Sequence, residues 1–274
     1  MSSAPLILEA GRAERHYWRD LWRYRELLFF LAWRDVAVHY KQTAIGIAWA
    51  LVRPLSIAVV FVFVFHKLAQ LSSAELPYPV LVLAGMLPWQ LFAASLAGTS
   101  DSMVGNANLI SKVYFPRLIV PLATLAVCLI DFLVTLPVLL VLMACYGVPF
   151  TWRLLALPLL VGATLLAALG PGLCLCALNV RFRDVRYVVP FVIQFGVYLS
   201  PVGFNSNLIP PEYQTLYALN PMVGVIDGFR WSVSGGATPF APLAFALSLA
   251  TSALFLTLGV IYFRKMERTF ADVI

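Results

Sequence analysis

The residue types that carry out covalent chemistry are sparse and scattered in this 274-residue sequence. Its three histidines, His16, His39 and His66, stand far apart, and none belongs to an H-E-x-x-H run, so metal-assisted hydrolysis has no ligand set. Of the four cysteines, Cys128, Cys145, Cys174 and Cys176, most lie inside apolar runs. The Cys174-x-Cys176 spacing is not a zinc spacing, which makes them small core residues. No G-x-x-x-x-G-K-S/T stretch exists to cradle nucleotide phosphates. Asp227-Gly228 is a single acid beside a glycine, short of the multiple-aspartate cluster of membrane phosphatidyl-alcohol transferases. No metal and no cofactor is expected in this chain, and no residue reads as catalytic.

What the sequence does offer is surfaces. Tyr187, Phe191, Phe195 and Tyr198 recur at intervals of four, four and three, so on a helix they form one face, with Gln194 beside them. Phe61 and Phe65 make a shorter pair. Aromatic faces beside hydrogen-bonding groups suit sugar rings, whose C–H faces stack on π-systems while the hydroxyls find polar partners. Helix packing or lipid contact produces the same stripe, and both readings stand. Asp131 is the one acid deep in an apolar run, a poor basis for a proton relay. It is expected to pair with a basic group or to bridge helices.

The elements that must position these residues follow from composition. The chain is 61% hydrophobic and 12% charged with mean hydropathy +0.87, against roughly 45–50% and about 25% for an ordinary soluble domain. A fold of this size in water would leave large apolar areas exposed, so the solvent is lipid. A hydrocarbon core about 30 Å thick needs ~20 apolar residues, and six stretches qualify: 45–66, 79–98, 118–146, 154–178, 187–204 and 241–263. They are continuously apolar rather than alternating, which predicts helices and an all-α integral membrane protein. The first 26 residues lack the apolar core of a secretory signal and carry five arginines, which places the N-terminus in the cytoplasm. Sixteen of nineteen basic residues then fall inside, leaving Lys67, Arg153 and Arg230 outside. This split predicts six spans with both termini cytoplasmic, and it explains the charge of +6 without nucleic acid.

Three connections have character. Residues 19–41 carry Arg19, Arg23, Glu26, Arg34 and Lys41 at near-helical spacing, predicting an amphipathic interfacial helix within a cytoplasmic segment 1–44. Residues 99–117 mix small and polar side chains with Val104, Leu109 and Ile110, as a short helix docking on a soluble partner would. Residues 205–240 are too long for a bare loop and predict re-entrant or interfacial helices forming an external lid. The segment 45–263 is one six-helix domain, followed by a tail at 264–274. A helical passage without an energy source needs a soluble motor, for which 99–117 and 179–186 provide places to push.

Several runs carry a specific resemblance. Trp33-Arg34-Asp35-Val36-Ala37-Val38-His39-Tyr40-Lys41-Gln42-Thr43 with Gly46, Trp49 and Pro54 is similar to the amino-terminal signature of type-2 ABC transporter permeases that export polysaccharides. Leu87-Pro88-Trp89, the run from Val104 to Arg117, Asn179 to Val185, and Leu219-Asn220-Pro221-Met222 with Gly228-Phe229-Arg230 resemble the same family in order, over about residues 24–267. The resemblance implies a homodimer joined to two copies of a nucleotide-binding ATPase subunit, which would bind ATP and Mg. The cargo would be a lipid-linked polysaccharide, with lipopolysaccharide O-antigen on undecaprenyl diphosphate the leading case. It assigns ATPase coupling to Gly105, Asn106, Asn108, Leu109, Ser111 and Lys112, with a second contact at Arg181, Arg183 and Asp184. Tyr213, Asn220, Pro221, Asp227, Arg230 and Trp231 fall in periplasmic gate helices between the fifth and sixth spans. The first and fifth spans wall the passage, which favours the aromatic residues as a glycan path. His39 and Arg53 stand where the family commonly has an arginine and an uncharged amide. Arg53, with Arg34 and Lys41, is assigned to receive an anionic diphosphate headgroup, with positive-inside anchoring as the other reading. Teichoic acid, capsule glycan or a drug as cargo, and a membrane-embedded glycolipid enzyme, are the competing functions.

Overall fold

The computed structural model describes residues 17–41, 48–64, 76–110, 112–113, 115–182, 184–267 and 270, with backbone alone at 48–50, 53 and 54. Ser111, Arg183 and Phe65, and the side chain of Arg53, lie outside that description. Every regular element among the described residues is helical: α1 (Tyr17–Arg23), α2 (Arg25–Lys41), α3 (Ala48–Phe61), α4 (Tyr78–Gly105), α5 (Ala107–Ile110), α6 (Ile119–Cys145), α7 (Leu157–Arg181), α8 (Val185–Leu199), α9 (Pro211–Tyr217), α10 (Pro221–Val233) and α11 (Pro242–Glu267).

Among the described residues, four segments are long and apolar enough to cross a bilayer: Tyr78–Gly105, Ile119–Cys145, Trp152–Arg181, which begins in a short 3-10 turn, and Pro242–Glu267. α8, with 15 residues, is about 22 Å long, less than the hydrocarbon thickness, and α3 stays helical up to Val64, where the described residues stop. The fifth predicted span therefore ends early. The cause is local: Ser200 precedes Pro201, whose ring drives the residue before it out of the helical region, and Ser200 sits at φ −115°, ψ 150°. The second predicted span, by contrast, continues seven residues further as helix, because Thr99, Ser100, Ser102 and Met103 remain on its buried face.

α4 is the spine of the fold, enclosed by α6, α7, α8 and α10. Lipid offers no hydrophobic drive for helices to associate, so close packing decides which of them meet. α7 and α11, the most extensive pair, cross at Gly170 and Gly259, where a methyl on either glycine would overlap the other helix's backbone. α8 approaches α4 at Gly196, where an added Cβ would lie 2.6 Å from the Trp89 ring.

The helices reverse so that their ends collect in two groups. At one end the start of α6 meets the end of α11: the Arg117 backbone N–H donates to Glu267 Oε1 at 2.9 Å and its guanidinium donates to the Glu267 carbonyl. Arg264 lies 4.4 Å over the Tyr17 ring, which brings α1 to the same place. At the other end the Tyr78 hydroxyl, at the start of α4, donates to the Gly203 carbonyl at 2.7 Å. Lys112, Arg117, Arg181, Arg186, Arg264 and Lys265 thus share one end, and Arg153 and Arg230 the other.

α2 packs along α6 through Leu31, while Phe29, Phe30 and Trp33 are exposed beside Arg25 and Glu26. Contact with α6 fixes its buried face more strongly than amphipathicity does. One expectation needs correction: not all four cysteines are core residues. Cys128 and Cys176 are buried, but Cys145 is exposed at the last turn of α6; all four are free thiols.

Candidate functional site

The coupling segment is built by the stop of α4. Asn106 ends the helix, its amide donating to the Ser102 carbonyl at 2.9 Å, and the chain makes the short α5 before reaching Lys112. Ile110 is buried and anchors the turn, whereas Gly105, Asn108 and Lys112 are exposed and Leu109 is half-buried. The second predicted contact lies beside the first. Asn179, buried near the end of α7, donates to the Ser100 carbonyl at 3.2 Å and to Asp101 Oδ1 at 2.9 Å, with Arg181 and Asp184 exposed just beyond. Sequence reading placed Asp101 and Asn179 inside the two contact segments without singling either out; the available signal was an amide in the buried register of α7.

Arg34 is already engaged. Its guanidinium donates to Asp35 Oδ1 at 2.7 and 2.9 Å and to Asn106 Oδ1 at 2.7 Å, tying α2 to the coupling turn. Lys41 is exposed two turns further on, about 10 Å along the helix, so the described residues do not gather these two cations into one cluster. Asp131 accepts a hydrogen bond from the Tyr40 hydroxyl and lies 3.7 Å from His39 Nε2, which is the cross-helix role expected for it. Burial, then the Asp131 contact, pushes the Tyr40 hydroxyl well above its ordinary pKa and keeps it a donor. For the Arg34–Asn106 link, a double-mutant cycle of Arg34→Ala and Asn106→Ala, read by thermal melting in detergent, is expected to give a coupling of about 1 kcal/mol. Additive losses would show that the link contributes nothing.

The aromatic face of α8 is intact and open. Tyr187, Phe191, Phe195 and Tyr198 are exposed, as is Gln194, and the Phe191 and Phe195 rings lie 4.3 Å apart. The face points out of the bundle, since Val189 and Gly196 hold the opposite side of the helix against the core. Phe61 does not join it: that ring is half-buried against the core.

At the opposite end of the bundle the region 205–240 holds short helices, as expected: α10 is largely buried against α4, α7 and α11, and α9 is exposed, Tyr213 included. α10 starts with Pro221 behind Asn220, whose side chain caps the Met222 N–H at 3.0 Å and donates to Ser200 Oγ at 3.0 Å. Arg230, 1% exposed, donates to the carbonyls of Phe204 at 2.7 Å and Val202 at 2.9 Å. These are carbonyls that the early stop of α8 leaves without helical partners. Gly85 makes room for it, since an added Cβ there would lie 3.0 Å from Arg230 Nη2 and 2.9 Å from the Val202 oxygen. Asp227, one turn earlier, accepts from the Ser206 hydroxyl at 2.7 Å. Trp231 stacks beside Phe240 at 5.1 Å and under Arg153 at 5.3 Å.

Burial pushes the Asp227 carboxyl above the usual range, against the opposing pull of Ser206 and Arg230, and pulls Arg230 down to about 10. A carboxyl with a raised folded pKa binds its proton more tightly folded than unfolded, so stability is lost as pH rises through its ordinary range, from about pH 4 upward. Asp227→Asn is expected to flatten that decline in melting temperature. Parallel curves for the two proteins would refute the assignment.

Comparison with known proteins gives these features a context. The family described as "ABC-2 type transporter" matches residues 26–234. The chain is 29% identical over 258 residues, 93% of its length and 98% of the relative's, to the "O-antigen export system permease protein RfbA" of Myxococcus xanthus. It is 27% identical over 250 residues, 91% of its length and 95% of the relative's, to the protein of the same name from Klebsiella pneumoniae. It is 22% identical over 208 residues, 74% and 79% of the two chains, to the "Polysialic acid transport protein KpsM" of Escherichia coli.

Proposed function

Because this chain belongs to the ABC-2 type transporter family, a multi-pass membrane permease that pairs with an ABC ATPase subunit, we propose that it exports a lipid-linked polysaccharide. The cargo we assign is undecaprenyl-diphosphate-linked O-antigen, moved from the cytoplasmic to the external leaflet of a bacterial inner membrane. The observation that carries this reading is end-to-end similarity: two relatives named for O-antigen export align over more than nine tenths of the chain.

In this reading the working unit has six spans per subunit, two of them built on α3 and α8, and two copies of the subunit. Two ATPase subunits bind ATP and Mg and press on the end where α4, α5 and α7 converge. Asn106, Asn108, Leu109 and Lys112 present the first contact, and Arg181 and Asp184 the second. Asn179 and Asp101 make the two contacts move together. The outward aromatic face of α8 suits a passage formed between two copies better than a pore within one. Sugar rings stack on Tyr187, Phe191, Phe195 and Tyr198 with Gln194 taking hydroxyls, while the lipid tail stays in the bilayer. Lys41 and Arg53 receive the diphosphate, and Arg34, already paired with Asp35, mainly holds the coupling turn.

The test compares cells with and without the chain. Surface glycan and, by mass spectrometry, the lipid-linked glycan retained inside are both quantified. Loss at the surface with unmodified intermediate accumulating inside is the expected result. Persistence of O-antigen rejects that cargo; loss of a different surface polymer instead would favour the second reading, prompted by the polysialic acid relative, of a capsule-type glycan.

A further inference from the structure

α11 is anchored at both ends of the permease. At the coupling end its last residue, Glu267, is bound twice by Arg117, which stands two residues before α6. The Arg117 backbone N–H donates to Glu267 Oε1 at 2.9 Å, and its guanidinium donates to the Glu267 carbonyl, one of those a helix leaves unpaired at its end. Phe270, wholly buried, lies 5.4 Å from Phe263 and 5.9 Å from the Arg117 guanidinium. These rings share one buried apolar cluster with Ile110 of α5 and Leu31 of α2. A load on the coupling turn therefore reaches the end of α11 through packed and hydrogen-bonded groups.

At the other end α11 meets the junction of α9 and α10. Ser248, buried, accepts the Gly224 N–H at 3.0 Å and donates toward the Ala218 carbonyl at 3.0 Å and the Asn220 carbonyl at 3.1 Å. Gly224 permits this approach, since an added Cβ there would lie 2.7 Å from the Phe245 Cα. One hydroxyl thus holds the residue after α9, the cap of α10 and its first turn. Between the two anchorages α11 is held along a single line. Its buried residues, Ser248, Ser252, Gly259 and Phe263, fall at intervals of four, seven and four on one face, and the rest of the helix is exposed or half-buried. α4, enclosed on most of its length, has no such freedom to move. The line includes the backbone crossing of Gly259 on Gly170.

We propose that α11 is a lever that carries the ATPase stroke to the external helices, pivoting at the Gly170–Gly259 crossing, with Glu267 and Ser248 as its positioning residues. The assignment rests on the export reading, in which the ATPase presses on the coupling end. Glu267 lies eight residues from Gly259 and Ser248 eleven, so the arms measure about 12 and 16 Å on opposite sides of the pivot. The crossing serves as pivot because backbone meets backbone there, and neither can rotate aside as a side chain would. Helix shifts in switching proteins are about 1–2 Å, and one of that size at Glu267 arrives reversed and slightly enlarged at Ser248. Hydrogen bonds of 3.0–3.1 Å have no such slack, so residues 218–224 must follow or let go. Either response moves α9 and the start of α10 against the enclosed α4.

The experiment assembles the full chain with its ATPase subunits in nanodiscs and follows amide hydrogen exchange by mass spectrometry, with and without ATP and vanadate. In the wild type, ATP is expected to change exchange across residues 212–224 by at least roughly fivefold. Glu267→Ala and Ser248→Ala are each expected to abolish most of that change while ATP hydrolysis continues. Glu267→Gln keeps an acceptor for the Arg117 N–H and is expected to retain the response. Purely structural damage would lower the melting temperature and leave the ATP-dependent difference in place. A wild-type chain that does not respond at 212–224, alanine variants that respond as the wild type does, or a Glu267→Gln variant as impaired as Glu267→Ala would overturn the proposal. Surface glycan in cells decides the export reading separately, so a failed lever and a failed export reading are told apart.

Discussion

Arg230→Met is expected to destabilise the permease by about 3 kcal/mol or more and to lower its melting temperature in detergent by at least about 6 °C. The guanidinium is the donor for the buried Val202 carbonyl and the half-buried Phe204 carbonyl, in the stretch where α8 has stopped at Leu199. Methionine fills much of the volume but donates nothing. Both carbonyls are left unpaired, each at a cost of about 1–3 kcal/mol, and Asp227 loses the only cation near it among the described residues. Arg230→Lys keeps the charge and reaches one carbonyl at best, so it should fall between the two. Surface glycan is expected to fall with stability. A methionine variant that melts with the wild type would mean that water substitutes for the arginine.

The second large effect is expected at the α7–α11 crossing. Gly259→Leu places a side chain where the Gly170 carbonyl already sits, and both glycines face backbone, which cannot rotate away as a side chain would. The two helices must separate, and the interface they would open is the most extensive in the fold. Failure to recover a monodisperse protein is the expected outcome, measured by fluorescence-detected size exclusion. Gly162→Leu, also on α7, supplies the control: nothing lies within 4 Å of a Cβ there, so it should elute and melt like the wild type. If the two variants behave alike, close packing at Gly259 is not what holds α11 in place.

The architecture was legible where hydrophobicity dominates. The four long helices lie where continuous apolar runs predicted them, and the positive-inside count sorted Arg117, Arg181 and Arg264 from Arg153 and Arg230 as the bundle ends do. The errors came where a local signal outweighed the run. Ser200-Pro201 cut short the fifth apolar stretch, a stop that hydropathy does not register. Thr99 to Gly105 read as part of a separate docking connection because its residues are small and polar, yet it continues α4, and its side chains are the ones that fit between α4 and α7, with Gly172 opposite Thr99. At the functional surfaces, spacing predicted correctly that the α8 aromatics share a face. It could not say that the face points outward, since that depends on Gly196 lying against Trp89 on the other side of α8. Arg230 was chosen for its place in a resembling segment; its work as donor to two carbonyls becomes visible only once α8 ends. Arg34 shows the converse, a cation assigned to a ligand that the fold engages with Asp35 and Asn106.

α11 follows every other described helix in chain order, and much of the bundle waits for it. Ser248 accepts the Gly224 N–H at 3.0 Å and donates toward the Ala218 and Asn220 carbonyls at 3.0 and 3.1 Å. Gly259 fills the notch at Gly170, and Glu267 closes on Arg117. During synthesis, then, α7 and α10 enter the membrane with their docking grooves open and remain so until the last helix emerges from the translocon. The nascent protein passes through a stage with glycine-lined grooves bare to lipid and to other chains. A chain truncated before α11 would stay at that stage, recognisable to membrane proteases as unfinished.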